Sequence, residues 1–488
     1  MTDTTQSQNN HQPKPLQNGF NPDFSHSEVD QNSPPPTELK EQLPQTRTTR
    51  PKYEGDAAEL VVARMLDQHF AGGKHLMLST DGRFWHYDGR VWRPVQDQWM
   101  SGKALETIRA NPVRGQKTAP LLGQVLTLLK ANLAAADNFL DFNVTPLPVI
   151  NCANGELWLT VDGGVELRSH QPGSFLRHCL DVAYDPSARC PEYDRALRGI
   201  FSAAKKPEAM IRHWHELVGY IIQPRRHLPI IPILFGRGDN GKTKLMHTVM
   251  QLLGSGLVHA QRIEDLDKSR FAMGSLLGKF LFVDDDVRAG ARLPDGILKT
   301  ISEAKQVTGE LKFGPAFNFT VRAVPVLLCN NIPSLADLSH GMRRRLMVIP
   351  FDRIFTDMDK DSELFDRIVA NELPGVLNRA LEGYRRLLVR GTFKLPTAVK
   401  IATTRWLQHA NPLPAFIEAC CIKQPEAECR LADFYAAYAE WARQMGYTLT
   451  QNQQTVSLDL QHLGFAATTT SRGTVFVGLA LTDRDHHR

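Results

Sequence analysis

No stretch of this chain is long and apolar enough to cross a bilayer, and the first ten residues are polar with no apolar segment to follow a basic start. Neither a membrane span nor a secretory leader is expected, and the protein reads as cytoplasmic. Cysteine is sparse and badly spaced for metal. The seven thiols (Cys152, Cys179, Cys190, Cys329, Cys420, Cys421 and Cys429) include no C-x-x-C pair and no histidine at zinc-site spacing. A disulfide framework and a zinc ribbon are therefore unexpected, and free thiols in a reducing compartment are the natural reading. Charge of one sign is also lacking. The net is +5, and residues 1 to 52 hold five Lys and Arg against six Asp and Glu, which leaves +6 for the remainder. Such a balance suits nucleic acid without pointing to it. No internal repeat is apparent.

What is present divides the 488 residues into several domains. Residues 1–52 are rich in Gln, Asn, Pro, Ser and Thr with few large apolar side chains, the composition of a disordered tail. Residues 53–194 predict an α+β domain: a helix over 57–69, a hairpin at Phe84 to Arg93 turning on Asp88-Gly89, helices near 100–108 and 121–135, and strands within 149–167. The hairpin's Trp and Tyr could stack on bases, but a small core is the favoured reading. Residues 195–390 alternate helices with apolar strands, which predicts an α/β domain around a largely parallel sheet. Residues 391–488 read as helices followed by two weak strands around Ser471 to Gly473, a winged-helix-like module.

The strongest signal is Gly236-Arg237-Gly238-Asp239-Asn240-Gly241-Lys242-Thr243, which matches G-x-x-x-x-G-K-[ST] between an apolar strand and a helix. Backbone N–H groups of such a loop at a helix N-terminus point at phosphates. Lys242 is expected to neutralise the β- and γ-phosphates, and the Thr243 hydroxyl to hold Mg²⁺. All eight residues are expected to bind ATP.

An acidic partner is needed for the metal and for water, and Phe280 to Val283 runs into Asp284-Asp285-Asp286. Asp284 is assigned to Mg²⁺ and Asp285 to the attacking water, the order within the triplet being open. A third apolar run ends at Asn330-Asn331, and Asn330 is the first choice for a group sensing the γ-phosphate. Gly341-Met342 leads into Arg343, Arg344 and Arg345, where Arg344 and Arg345 could reach a neighbouring subunit's ATP. Two short runs flank Gly314-Pro315 and predict a hairpin, with Lys312 and Phe313 near its tip as candidate DNA contacts. An ordinary exposed lysine is as good a reading of Lys312.

In this order and spacing the residues resemble superfamily 3 helicases, specifically the primase-helicase proteins of bacteriophages, plasmids and poxviruses. The resemblance extends from Asn154-Gly155-Glu156-Leu157 through Tyr184-Asp185-Pro186, and from Leu373-Pro374-Gly375 through Phe416, Tyr435, Tyr438 and Trp441. It implies an AAA+-like P-loop NTPase core and a ring, usually a homo-hexamer, that threads single-stranded DNA and opens a forked duplex. It also implies a hairpin lysine on DNA, an arginine acting in trans, and a phage or other mobile element working in a bacterial cytosol. Asp284-Asp285-Asp286 departs from the glutamate common in the phage branch. No catalytic acid pair or zinc ribbon for primer synthesis is apparent, so a helicase without primase activity is expected, for which a primase would be a separate partner. The alternative is a DNA-binding replication initiator or loader that uses ATP as an assembly switch.

Overall fold

The computed structural model describes residues 56–112, 117–134, 139–140, 149–159, 164–268, 270–288, 291, 293–310, 316–333, 335, 339–447, 451–471 and 473–482. All belong to one compact unit, Thr46–Arg488. The expected tail, together with Lys312 and Phe313, lies outside the described residues.

The N-terminal region opens with α1 (Ala57–His69), where the Asp56 carboxylate accepts the Ala58 N–H at the helix start. Val61, Val62 and Met65 lie on one buried face. Helices α2 (Asp97–Ala110) and α3 (Thr118–Leu133) repeat that spacing with Met100, Ala104 and Ile108, and with Leu121, Val125 and Leu129. The three helices share a core with a sheet ordered β3-β2-β1-β4, formed by β1 (Leu76–Ser79), β2 (Phe84–Tyr87), β3 (Trp92–Val95) and β4 (Phe139–Leu140). Trp85, Tyr87 and Trp92 are buried. The Trp92 indole N–H donates to the Pro172 carbonyl, so the aromatic hairpin is core and no base-stacking platform. A second antiparallel sheet follows from β5 (Val149–Cys152), β6 (Gly155–Leu159) and β7 (Val165–Arg168).

The central domain is built on five strands: β8 (Ile231–Phe235), β9 (Val258–Ala260), β10 (Leu281–Val287), β13 (Val324–Cys329) and β14 (Leu346–Pro350). Every pairing is parallel and the order is β14-β8-β13-β10-β9. The strands are apolar on both faces because both are covered, as parallel sheets require. One face carries α4 (Pro191–Ile200), α5 (Pro207–Ile221), α6 (Lys242–Leu253) and α11 (Leu373–Arg390). The other packs on α8 (Asp295–Ser302) and α12 (Thr397–Ala410). Helices α5 and α11 meet backbone to backbone. A methyl group on Gly219 would collide with the Ala380 carbonyl, and one on Gly383 with the His215 carbonyl.

Between β10 and β13 an antiparallel hairpin, β11 (Gln306–Glu310) with β12 (Ala316–Thr320), pairs in the register Gln306↔Thr320. Toward its turn end, where Gly309 pairs with Phe317, it crosses α7 (Arg270–Gly274), and Gly309 faces Gly274 with no room for a side chain. Three residues, 321–323, join it to β13, and Val321 and Ala323 among them are buried.

Several boundaries differ from expectation for local reasons. Strand β9 is three residues long and its burial is partial, too little apolar pattern to show in the sequence. Two helices close the domain, α10 (Leu364–Asn371) and α11, separated at Glu372 ahead of Pro374. Helix α12 packs on the edge strand β14, with the Val348 N–H donating to the Thr403 hydroxyl. The remaining C-terminal elements have their own core. They are α13 (Leu413–Cys420), β15 (Cys421–Ile422), β16 (Glu428–Arg430), α14 (Leu431–Gln444), α15 (Gln453–His462), β17 (Ala466–Thr470), β18 (Gly473–Val477) and β19 (Ala480–Leu481), with sheet order β16-β18-β17 and β15 paired to β19. The polar α15 was missed because it carries only Val456 and Leu460 as buried apolar residues.

Candidate functional site

The Gly236–Thr243 loop leaves the C-terminal end of β8, where the Gly236 N–H donates to the Cys329 carbonyl at 3.2 Å. Only glycine fits there, since a Cβ would run into the Asn240 amide and the Phe351 carbonyl. Asp239 (φ +57°) and Gly241 (φ +80°) take left-handed backbone, which turns the chain into α6. Asn240 is buried and staples the loop from within. Its Nδ2 donates to the carbonyls of Arg237 and, at 3.2 Å, of Phe351, while its Oδ1 accepts the Lys242 N–H at 3.3 Å. Arg237, Gly238, Asp239 and Thr243 remain exposed, so the outer rim of the loop is open. Asp239 is held from the next layer, its carbonyl accepting the Phe355 N–H and its carboxylate pairing with Lys360 at 3.2 Å. The sequence placed the eight loop residues together; the bracing by Phe351, Phe355 and Lys360 carried no signal of its own.

Lys242 is the first residue of α6 and its side chain is buried. The ammonium donates to the Gly236 carbonyl at 3.1 Å and to Asn330 Oδ1 at 2.5 Å. Burial pulls its pKa down, opposed by electrostatic interaction with Cys329 and Asp286. Topology explains the meeting. Strand β13 lies beside β8, so its C-terminal end delivers Asn330 to the loop; Asn331, exposed like Asn330, follows one residue further on.

Strand β10 comes next and brings the carboxylates. Asp284 is buried, its Oδ2 accepting the Ile263 N–H at 2.8 Å and its Oδ1 the Asp286 N–H at 3.3 Å. Burial raises its pKa against these hydrogen bonds. Asp285 and Asp286 are exposed. The register shifts between Asp284, opposite Leu327, and Val287, opposite Cys329, which puts three steps of β10 against two of β13. This is a bulge, and bulges re-aim side chains. Asp284, expected to meet the metal, is thus engaged by backbone on both oxygens, and the two exposed carboxylates stand at the strand end.

The arginine pair separates. Arg344 is exposed. Arg345 does not project: only 5 % of its side chain is accessible, it is ion-paired with Glu303, and it donates to the Gly341 carbonyl. It serves as an internal brace between the end of α8 and the start of β14 instead of a group offered to a neighbour. The expected hairpin is present as β11 and β12, but its Lys312 and Phe313 lie outside the described residues. From the N-terminal region the Arg83 guanidinium stacks on Phe317 of β12 at 5.1 Å, a contact with no sequence signal.

A triphosphate with Mg²⁺ fits this donor set. Among the described residues no cluster of three or more His, Cys, Asp or Glu could hold a metal. Mg²⁺ needs none, since it keeps several waters and takes one or two carboxylates besides phosphate oxygens. The Thr243 hydroxyl and the carboxylates of Asp285 and Asp286 are accessible for that role, and Lys242 supplies the positive charge.

Comparison with known proteins agrees in part with the resemblance read from the sequence. Residues 62–202 match a domain described as D5 N terminal like, and residues 234–345 match a family of unknown function (DUF5906). The second match spans the loop, the acidic strand, the hairpin and the arginines. A protein of Acanthamoeba polyphaga mimivirus named "Putative helicase" is 28 % identical over 210 residues, 42 % of this chain. The match covers 22 % of that protein, so this chain spans under a quarter of its length. Two solved structures of the NrS-1 C terminal region, an A form apo structure and an apo structure of residues 305–718, give TM-scores of 0.43 and 0.45 at 11 % identity. They cover 83 % and 87 % of this chain, and 96 % and 100 % of their own. The D5-like domain and the mimivirus relative support kinship with viral helicases. Nothing in these likenesses speaks against primer synthesis, which the sequence led us not to expect. No helix among the described residues is long and apolar enough to cross a membrane.

Proposed function

We propose that this chain is an ATP-dependent DNA helicase of the superfamily 3 type, with an AAA+-like P-loop core that translocates on single-stranded DNA in the replication of a phage, plasmid or integrated element. The observation that carries the reading is the meeting of Lys242 with Asn330 at 2.5 Å, on a glycine-built loop beside an acidic strand end. Cation, amide and carboxylates come from the C-terminal edges of three neighbouring parallel strands, where open α/β sheets bind ligands. In this reading the loop amides and Lys242 hold the triphosphate of ATP, and Thr243 with the exposed carboxylates holds Mg²⁺. Asn330 orients water at the γ-phosphate. Bound Mg²⁺ would supply charge neutralisation on the triphosphate.

Charge distribution favours DNA at this same domain. Residues 195–390 hold 30 Lys and Arg against 21 Asp and Glu, a net of +9, so the core is far more basic than the chain as a whole. A basic core that carries the β11–β12 hairpin suits a sugar-phosphate backbone. By contrast, residues 411–482 hold four Lys and Arg against six Asp and Glu. That segment has the strand and helix order of a winged-helix module, yet its net of −2 opposes the phosphate attraction that an origin-recognising domain needs. The initiator reading is weaker for that reason. A homo-hexameric ring with Arg344 reaching the neighbour's ATP, and a separate primase as partner, complete the proposal.

The test is ATP hydrolysis with and without single-stranded DNA, unwinding of a forked duplex, and mass by light scattering on the same preparation. Stimulated turnover with strand separation by a ring is the expected result. Binding of specific duplex DNA without strand separation would favour the initiator, and absence of nucleotide binding would refute both.

A further inference from the structure

The three consecutive aspartates at the end of β10 cannot have interchangeable roles, because the backbone treats each differently. Asp284 is buried and receives N–H groups from Ile263 and Asp286. Those bonds hold the carboxylate in place and satisfy two main-chain donors that would otherwise be stranded near the sheet. The Asp286 N–H belongs to the bulge itself, so Asp284 fixes the irregularity that displaces the next two residues. Without the bulge, strict alternation would put Asp284 and Asp286 on one face and Asp285 on the other. The extra residue breaks that alternation, and Val287 returns to the buried face opposite Cys329. Cys329 directly precedes Asn330, the partner of Lys242. Asp286, adjacent to Val287, is the exposed carboxylate nearest that point in register. Its charge also reaches Lys242, where it works against the pull of burial, whereas the field of Asp285 is felt at Asp284.

We propose that Asp286 is the carboxylate that meets the metal–triphosphate held by Lys242, and that Asp284 is a positioning residue that sets the bulge and so aims it. This assignment rests on the nucleotide-binding reading above. It makes the third aspartate, and not the first or second, the main acidic contact of the site.

Titration with a fluorescent ATP analogue, once in Mg²⁺ and once in EDTA, tests it on the full-length chain. Asp286→Asn and Asp285→Asn are the variants. Both side chains are exposed, and neither substitution touches the Asp286 N–H bond to Asp284, so folding is preserved in each. Asp286→Asn is expected to lose about tenfold or more of the Mg²⁺-dependent gain in affinity while its affinity in EDTA stays at the wild-type level. Asp285→Asn is expected to lose the smaller share. An equal or larger loss in Asp285→Asn overturns the assignment while leaving nucleotide binding standing. Wild-type protein that binds no nucleotide in either buffer overturns the nucleotide reading itself, and the assignment with it.

Discussion

Adjacent arginines at the end of α9 (His340–Arg343) give the sharpest separation of a fold role from a ring role. Arg345 is 5 % accessible and pairs with Glu303, which is 25 % accessible and also holds Lys305 at 2.8 Å. Arg345→Ala leaves Glu303 partly buried with one cation fewer and removes the donor to the Gly341 carbonyl. Breaking a fully buried pair costs about 3–5 kcal/mol. The partial exposure of Glu303 and its bond to Lys305 reduce this to about 2–3 kcal/mol. A domain of 150–250 residues shifts its melting temperature by about 2–4 °C per kcal/mol, so a fall of about 5–10 °C is expected. Arg344→Ala removes an exposed side chain and should stay within about 0.5 kcal/mol of wild type. The assays are thermal unfolding of each variant alone and ATP turnover after mixing each with wild type. Arg344→Ala should melt normally and depress turnover more steeply than its fraction in the mixture, since an arginine acting in trans is worth about 10³–10⁵ in rate. An Arg345→Ala protein that melts normally and poisons the mixture, beside an inert Arg344→Ala, would refute the division.

Further outcomes are expected elsewhere. Lys242→Ala should abolish ATP hydrolysis, and retained turnover would remove the loop from the mechanism. Lys312→Ala should lose forked-duplex unwinding by a much larger factor than it loses hydrolysis without DNA; equal losses would argue against a grip on the strand. Burial brings His213 and His215 of α5 down to about 4. Their neutral forms therefore favour the fold fully above about pH 6.5, the unfolded value, and that contribution is lost as pH falls toward about 4. His213→Leu should lessen the decline in thermal stability across that window, and an unchanged acid limb would show that another group governs it.

Much of the candidate site's layout was legible because its residues are local in sequence. The loop is eight consecutive residues whose glycines answer to backbone geometry, and Asn330 could be picked out as a polar amide ending an apolar run. The parallel sheet was legible too, since strands covered on both faces become unbroken apolar stretches. The roles within Asp284-Asp285-Asp286 were not legible. They depend on the Ile263 N–H, 21 residues away, and on a register shift against β13 that no single strand encodes. Arg345 was misread for a similar reason, because three consecutive arginines look alike until Glu303 is brought beside one of them. Helix α15 and strand β9 escaped because each buries too little apolar surface to imprint a period.

Strand β13 has a consequence for how force could travel. At its C-terminal end sits Asn330, against the lysine of the phosphate loop; behind its N-terminal end, three residues away, the β11–β12 hairpin begins. Six extended residues separate those ends, about 20 Å of stiff backbone clamped between two neighbours. If the core is the proposed motor, such a strand gives a displacement imposed at Asn330 a short, stiff path to the root of the candidate nucleic-acid grip.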